Sequence, residues 1–200
     1  MGVGVIRQPY KKMVRSMKII SGEKKGHKIF GPGPEEVRPM RHSVRKSLFD
    51  ILQNVVEGSR FLDLFAGTGG VGLEALSRGA DHATFVDNLP ESVKLIGKNI
   101  EKLGYQQVTR LYELDASRAI DKFEGRDRRF DIVFLGPPYQ KGLTVQTLNR
   151  LGGNKVVRKW GIVGVEVFFK NELEDKFGGL EMVTSRTYGQ SKLVIYRRKP

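Results

Sequence analysis

A short apolar segment that runs directly into a glycine-rich turn constrains this chain more than any other feature of its sequence. Phe61–Phe65 predicts a buried strand, and a helix is predicted over Val71–Ser77. Between them, Gly67, Gly69 and Gly72 follow the spacing G-x-G-x-x-G. A strand, a glycine turn and a helix in this order predict the first unit of a nucleotide-binding α/β fold.

The rest of the chain continues the alternation of strands and helices. A helix with Ser43 as its N-cap is predicted before the first of these strands, on the apolar stripe from Val44 to Val55, and Gly58 is predicted to end it. Further strands are predicted over 83–87, 108–114, 130–135, 161–169, 180–186 and 191–198, and further helices over 90–103, 117–123 and 144–151. Several of these strands are continuously apolar, which is typical of a mostly parallel sheet with helices on both faces. We therefore expect a Rossmann-like α/β domain.

The N-terminal part of the chain has different signals. Residues 1–16 are polar and basic without any period, which predicts a disordered tail. Residues 17–34 predict a basic β-hairpin with strands over Lys18–Ser21 and His27–Phe30, and the main domain is expected over residues 35–200.

The charge of the chain points to a polyanionic partner. The formal net charge is +13, and residues 1–30 hold eight Lys or Arg against a single acid, Glu23. A cluster of this kind favours nucleic acid over a merely solvated surface. No apolar run approaches the roughly 18–20 residues that span a bilayer, so we expect a cytoplasmic protein without membrane contact, and we expect a monomer. The three histidines are not spaced as metal ligands, and no metal is expected.

The glycine turn alone admits a dinucleotide, S-adenosylmethionine or no ligand. Asp63 beside the glycines would repel a pyrophosphate but suits the cationic amino group of S-adenosylmethionine. Asp87 ends the second strand and is placed to accept ribose hydroxyls, while Asp115 after the third strand is placed either to meet an adenine or to cap a helix. The predicted cofactor residues are Asp63, Phe65, Ala66, Gly67, Gly69, Asp87, Asn88, Asp115 and Ala116.

The segment Gly136-Pro137-Pro138-Tyr139 follows the predicted strand over 130–135. Two prolines fix the backbone and remove two donors, which leaves a rigid row of carbonyls facing the crevice. A carbonyl accepts a hydrogen bond from an exocyclic amine, and an aromatic ring stacks on a flipped base. These four residues are the predicted catalytic segment, with the Pro137 carbonyl facing the amine and Tyr139 facing the base.

The order of these segments resembles the small-subunit ribosomal RNA guanine-N2 methyltransferase family of bacteria, over roughly residues 17 to 198. The most family-specific stretch is Leu73–Ala80 after the glycine turn. The other matching stretches are Lys18–Gly22, Gly26–Lys28, Arg38-Pro39, Val44–Phe49, Leu62–Arg78, Phe130–Tyr139 and Tyr188-Gly189.

The resemblance implies a seven-stranded methyltransferase sheet, S-adenosylmethionine as the cofactor, and one guanine of ribosomal RNA or of a small-subunit particle as the target. The chain has no cysteine, so the transfer to the amine is expected to be direct, without a covalent adduct. The residues expected to bind RNA phosphates are Lys18, Lys24, Lys25, Lys28, Arg38, Arg41 and Arg45.

One position departs from the family pattern. The family has Asp or Asn before Pro-Pro-Tyr/Phe, and Gly136 stands there in this chain. Asp131 cannot replace that side chain, since five residues of strand separate the two by about 16 Å. Either the main-chain carbonyls suffice to hold the target amine, or another carboxylate takes the place of the missing side chain, or the enzyme is impaired. Two alternatives stay open: an adenine-N6 DNA methyltransferase and a non-catalytic RNA-binding protein of ribosome assembly.

Overall fold

The computed structural model describes residues 16–32, 40–138 and 141–200. The strands are β1 (Ser16–Lys18), β2 (Lys28–Phe30), β3 (Arg60–Leu64), β4 (His82–Asp87), β5 (Thr109–Glu113), β6 (Phe130–Leu135), β7 (Val157–Phe168), β8 (Lys176–Phe177), β9 (Leu180–Tyr188) and β10 (Ser191–Arg198). The helices are α1 (His42–Leu52), α2 (Gly70–Ser77), α3 (Pro90–Leu103), α4 (Ala116–Glu124) and α5 (Lys141–Gly153), and a 3-10 turn over Gln106–Val108 precedes β5.

The main sheet has the strand order β5-β4-β3-β6-β7-β10-β9-β8. Strands β5, β4, β3, β6 and β7 are parallel, and β10 is antiparallel to both β7 and β9. From β3 the chain runs outward to β4 and then to β5, and it returns to place β6 on the other side of β3. The order of the strands therefore reverses between β3 and β6. A crevice for a ligand is expected at such a reversal, beyond the carboxyl ends of the strands. The Rossmann-like fold is confirmed, and the two-residue β8 adds an eighth strand at the edge.

Helices cover both faces of the sheet, each over its own apolar core. Helices α1, α2 and α3 pack on one face together with the N-terminal hairpin, through side chains such as Leu48, Leu73 and Ile96. Helices α4 and α5 pack on the other face, through side chains such as Ile120 and Leu148. Residues 132–135 of β6 alternate between the two cores, which explains why this part of the strand is continuously apolar.

The boundaries of α3 and β6 are those predicted, because strong local signals fix them. Pro90 begins α3, where its missing N–H costs nothing, and Gly104 ends the helix in a left-handed conformation with φ 76°. Prediction of α1 was less accurate. The residue that caps α1 is Arg41 rather than Ser43, and it makes no side-chain cap hydrogen bond. The helix ends at Leu52 rather than at Gly58, and a turn leads from there to β3.

The predicted β-hairpin is present, although its strands are shifted from the predicted ranges. Strand β1 pairs antiparallel with β2, and Met17 faces Ile29 across the pair. Ile19 and Ile29 are buried in the same core as α1, α2 and α3. The hairpin therefore shares the core of the main domain. Almost all of the predicted disordered tail, residues 1–15, lies outside the described residues. The predicted boundary at residue 34 also lies outside them.

A buried acid of α2 anchors the hairpin. Glu74 is fully buried, and its carboxylate accepts hydrogen bonds from the backbone N–H groups of Ile20, at 2.7 Å, and Ser21, at 3.0 Å. Its other partners are the guanidinium of Arg78, at 2.8 Å, and that of Arg45, at 4.0 Å. A fully buried carboxylate is tolerated only with such partners, so the hairpin and the two arginines stabilise one another through Glu74.

Candidate functional site

The turn after β3 is tightly folded and lies at the carboxyl edge of the sheet. Gly67 and Gly69 have φ 56° and 74°, a region that glycine enters without strain. Phe65 has φ 65°, which is uncommon for a residue with a side chain and costs on the order of 1–2 kcal/mol. The N–H of Ala66 donates to the carbonyl of Val86 over 3.0 Å, so the turn is tied to the end of β4.

Asp87 holds this turn with the side chain that was predicted to bind the cofactor. Its Oδ2 accepts from the N–H of Gly67 over 2.8 Å, and its Oδ1 accepts from the N–H of Leu89 over 3.0 Å. Each oxygen of a carboxylate has two lone pairs, so both keep capacity for a further donor. The side chain is 8% exposed and lines the crevice. Asp87 is thus fixed in place and able to accept two vicinal hydroxyls.

Asp63 lies beneath the turn rather than on the crevice surface. It is 1% exposed, and its Oδ2 accepts from the N–H of Gly72 over 2.9 Å. Burial raises the pKa of Asp63 to about 8, although the Gly72 hydrogen bond opposes that shift. Asp63 therefore does not face the ligand as a charged group, contrary to the prediction from the sequence. In this structure Asp63 ties the first turn of α2 to β3.

Gly72 itself is required by packing against the neighbouring strand. A Cβ atom at this position would lie 2.3 Å from the ring of Phe85 on β4. The third glycine of the motif therefore allows α2 to approach the sheet closely, which is its known purpose in G-x-G-x-x-G turns.

Asp115 caps helix α4 at the same edge of the sheet. Its Oδ1 accepts from the N–H of Arg118 over 2.9 Å and from the hydroxyl of Ser117 over 2.6 Å. These two bonds lower the pKa of Asp115, the Ser117 bond more than the Arg118 bond. The helix-cap role that the sequence allowed is present, and the backbone of Ala116 begins the helix beside the crevice.

The crevice is formed by the ends of β3, β4 and β5 together with one side of α5. The lining residues are Phe65, Val86, Asp87, Asn88, Leu114, Asp115, Ala116, Ser117, Leu143, Gln146, Thr147 and Arg150. Five of the predicted cofactor residues meet there. The contribution of α5 was missed, because its weak apolar stripe says nothing about which side faces the crevice. Arg150 is held by Asp121 of α4 over 2.5 Å, which fixes α5 against α4.

The Gly136-Pro137-Pro138 segment lies beside the glycine turn. Leu135, the last residue of β6, pairs with Leu64 of β3, and the N–H of Gly136 points to the Leu64 carbonyl at 3.5 Å. A Cβ atom at position 136 would lie 3.1 Å from the ring of Phe134. Pro137 is buried and Pro138 is exposed, while Tyr139 lies outside the described residues. Asp131 accepts from the N–H of Arg60 at the opposite end of the sheet.

The predicted RNA-binding residues fall into two groups. Lys18, Lys25, Lys28 and Arg41 are exposed, and Lys24 is half-buried with its ammonium 5.8 Å from the Tyr105 ring centre. Arg38 lies outside the described residues.

Arg45 does not belong to this surface. Its side chain is buried, and its guanidinium donates to the carbonyl of Gly70 over 3.2 Å and to that of Lys18 over 2.5 Å. Burial lowers the pKa of Arg45, and Glu74 opposes that shift. The prediction that Arg45 grips phosphates is wrong, because the residue lies between α1, α2 and the hairpin.

Comparison with known proteins assigns the chain to a family. The family described as Conserved hypothetical protein 95 (Cons_hypoth95) matches residues 17–197. The chain belongs to this family. Ribosomal RNA small subunit methyltransferase D of Escherichia coli (strain K12) is 30% identical to it over 92% of this chain and 90% of the relative.

Solved structures confirm the fold of this Cons_hypoth95 member. The structure of yhhF from Escherichia coli matches with a TM-score of 0.82 and 30% identity, over 92% of this chain and 99% of that one. The Thermus thermophilus 16S rRNA N2 G1207 methyltransferase (RsmC), solved with AdoMet and guanosine, matches with a TM-score of 0.70 and 21% identity. That match covers 93% of this chain and 50% of the RsmC chain.

Within residues 16–32, 40–138 and 141–200, no helix is long and apolar enough to span a membrane. Over the same ranges, His, Asp and Glu side chains form no group of three or more that could hold a metal ion.

Proposed function

We propose that this chain transfers the methyl group of S-adenosylmethionine to the exocyclic N2 of a guanine in small-subunit ribosomal RNA. The observation that carries the proposal is the position of Asp87 at the edge of the crevice, fixed by two backbone N–H groups and able to accept two hydroxyls. The end of β6, with its row of carbonyls, lies beside the same edge. Family membership and the ribosomal RNA methyltransferase among its relatives support the choice of substrate.

The crevice suits the parts of this cofactor. Asp87 would accept the ribose hydroxyls, and the apolar side chains of Phe65 and Leu143 would flank the adenine. The Oδ2 atom of Asp115 takes no part in the helix cap; it lies 3.4 Å from Nε of Arg118 and keeps acceptor capacity for the adenine. When bound, S-adenosylmethionine supplies an electrophilic methyl group on a sulfonium.

The residues of the chain would then position the amine and exclude water. The guanine amino group is a weak nucleophile, because its lone pair is delocalised into the ring. Acceptors aimed at its hydrogens hold the nitrogen in line with the methyl group, and alignment of this kind supplies much of the rate in group transfer. The carbonyl of Pro137 is one such acceptor, on a backbone that two prolines hold rigid.

The basic hairpin would bind the RNA backbone on the face of the domain that α1, α2 and α3 cover. Lys18, Lys25 and Lys28 project from a hairpin that Glu74 and Asn99 fix to the domain, so their charges are held in place. Asn99 pairs with Phe30 through both its oxygen and its nitrogen, at 2.7 Å and 3.0 Å. Phosphate contacts fix register and orientation, while the crevice selects the base.

The direct test is methyl transfer in vitro. The purified chain is incubated with S-adenosylmethionine labelled in the methyl group and with either small-subunit particles or the naked ribosomal RNA, and the labelled nucleoside is identified. We expect N2-methylguanosine. A label on adenine N6 of DNA would favour the DNA methyltransferase alternative, and an absence of label on every RNA would favour the non-catalytic assembly protein, which the glycine at position 136 also fits.

A further inference from the structure

The pairing of β6 with β7 places a carboxylate beside the glycine at position 136. The paired residues are Phe134 with Gly164 and then Leu135 with Val165. Gly136 and Glu166 are the next residues along the two strands. Neighbouring strands lie about 4.8 Å apart, and residues level with each other project to the same face of the sheet. Glu166 therefore projects to the face, and toward the edge, that a side chain at position 136 would occupy.

The face in question is the one covered by α1. A Cβ atom at Gly164 would contact Leu48 of α1 at 3.0 Å and the Phe134 ring at 3.4 Å. The ring of Phe134 is also the nearest neighbour of a Cβ atom at Gly136. Phe134, position 136 and Glu166 thus lie on one face of the sheet, toward the carboxyl ends of β6 and β7.

Other groups hold Glu166 in this place. The side chain is 8% exposed and is hydrogen-bonded to Ser191, at the start of β10. Arg41, the N-cap residue of α1, lies near enough for its charge to act on this carboxylate. Tyr188 of β9 is hydrogen-bonded to Ser47 of α1, so the turn between β9 and β10 is fixed beside Arg41.

We propose that Glu166 supplies the acceptor for the target amine, in place of the Asp or Asn that the resembled family carries at position 136. The proposal rests on the methyl transfer proposed above. The carboxylate of Glu166 is one strand away from position 136, and the side chain of Glu, one methylene longer than that of Asp, extends its reach toward that position. Ser191 occupies one of the four lone-pair positions of the carboxylate, which leaves acceptor capacity for an N–H of guanine.

The reaction then balances without any further reagent. The N2 lone pair forms the new N–C bond while the S–C bond breaks, and the electron pair of that bond stays on sulfur. The methylated nitrogen loses one proton, which Glu166 takes and passes to water. Burial raises the pKa of Glu166, although Ser191 and Arg41 oppose the shift, and a raised pKa makes the carboxylate a better proton acceptor.

The test compares four chains in single-turnover methyl transfer on one RNA substrate: wild type, Glu166→Gln, Gly136→Asp and the double variant. Glutamine keeps the size of Glu166 and an acceptor for Ser191, but loses the charge. We expect Glu166→Gln to slow transfer by on the order of 10²–10³, as is common for one positioned group. S-adenosylmethionine affinity, measured by calorimetry, should stay within threefold.

A carboxylate introduced at position 136 should rescue the rate of the Glu166→Gln chain. Such a rescue would not occur if Glu166 had only a structural role. Gly136→Asp should raise the rate at least tenfold in the Glu166→Gln background, and by a smaller factor in the wild-type background. The Phe134 ring has to move by a few tenths of an ångström to admit that side chain. Glu181→Gln, a change of a half-buried residue on β9, is the matched control and should leave the rate unchanged.

The outcomes separate this proposal from the proposed function. A Glu166→Gln chain that binds cofactor and transfers at the wild-type rate overturns the role of Glu166 and leaves the methyltransferase proposal standing. A wild-type chain that methylates no ribosomal RNA overturns both. Should Glu166→Gln fail to unfold cooperatively, Glu166→Asp, which keeps the charge and shortens the reach, replaces it. The proposal would then be overturned if Glu166→Asp transfers methyl groups at the wild-type rate and if adding Gly136→Asp to it gives no further increase in rate.

Discussion

The guanidinium of Arg45 lies 4.0 Å from the carboxylate of Glu74, and both side chains are buried between α1, α2 and the hairpin. Arg45 would be left as a buried charge without its partner if Glu74 were removed, and the N–H groups of Ile20 and Ser21 would lose their acceptor. Breaking a buried pair in this way costs about 3–5 kcal/mol. Glu74 therefore anchors the start of the hairpin, while Asn99 holds its second strand.

Glu74→Ala should therefore lower the free energy of unfolding by about 3–5 kcal/mol in a denaturant titration. Asp50→Ala is the control, because Asp50 forms an exposed pair with Lys46, and such a pair contributes about 0.3–0.5 kcal/mol. Equal losses in the two variants would show that Glu74 does not anchor the hairpin.

RNA affinity should depend on salt through the hairpin lysines. Each phosphate contact contributes roughly 0.7–0.9 to the slope of log affinity against log salt. The double variant Lys25→Ala/Lys28→Ala should reduce this slope by the contribution of one to two phosphate contacts. The affinity for ribosomal RNA is measured by fluorescence anisotropy at several salt concentrations. Lys155→Ala, an exposed change between α5 and β7, should leave the slope unchanged. A slope that responds to Lys155 alone would place the RNA away from the hairpin.

The cofactor prediction concerns Asp87. Asp87→Asn removes the charge and one acceptor oxygen, and a hydrogen bond to a charged group contributes about 1.5–3 kcal/mol. We expect S-adenosylmethionine affinity to fall by roughly 10- to 100-fold in calorimetry. Asp81→Asn is the control: this exposed residue directly precedes β4, at the end of the strand opposite Asp87, and its change should leave the affinity for S-adenosylmethionine unaltered. Wild-type chain that binds NADH tightly and gives no signal with S-adenosylmethionine would contradict the assignment of the crevice.

Much of the fold could be predicted from the sequence, because strong local signals set it. Continuous apolar runs marked the parallel strands, and Pro90 with Gly104 marked both ends of α3. The start of α1 was missed, since Arg41 caps the helix without a side-chain bond and carries no signature. Which charged residues are buried was also hidden. Arg45 and Asp63 are of residue types that usually lie on the surface, and they are buried only because α2 packs against β3 and α1.

The site was predictable to the same extent. Asp87 and Asp115 were found because the ends of parallel strands meet at one edge of a sheet. Glu166 was not found, because its position beside Gly136 depends on the register between β6 and β7, which a bulge near Phe130 and Ile132 shifts. A register set by a bulge cannot be counted from the sequence alone.

The buried carboxyl group of Asp63 should make stability depend on pH. Its pKa is raised from 3.8 to about 8 in the folded chain, so between these values the folded state binds more protons than the unfolded state. The free energy of unfolding should then fall as pH rises from about 4 to about 8. Asp63→Asn keeps an acceptor for the N–H of Gly72 and should lose this component in denaturant titrations at pH 5 and pH 8. The same pH dependence in both chains would contradict the buried, protonated state of Asp63.

The most direct test of the central claim is mass mapping of modified nucleosides in small-subunit ribosomal RNA from cells with and without this gene. We predict that one N2-methylguanosine is missing in the deletion strain and returns when the wild-type gene is restored. We also predict that the Glu166→Gln gene restores the modification poorly, and that the same gene with Gly136→Asp restores it better. A modification pattern that is identical with and without the gene would contradict the account.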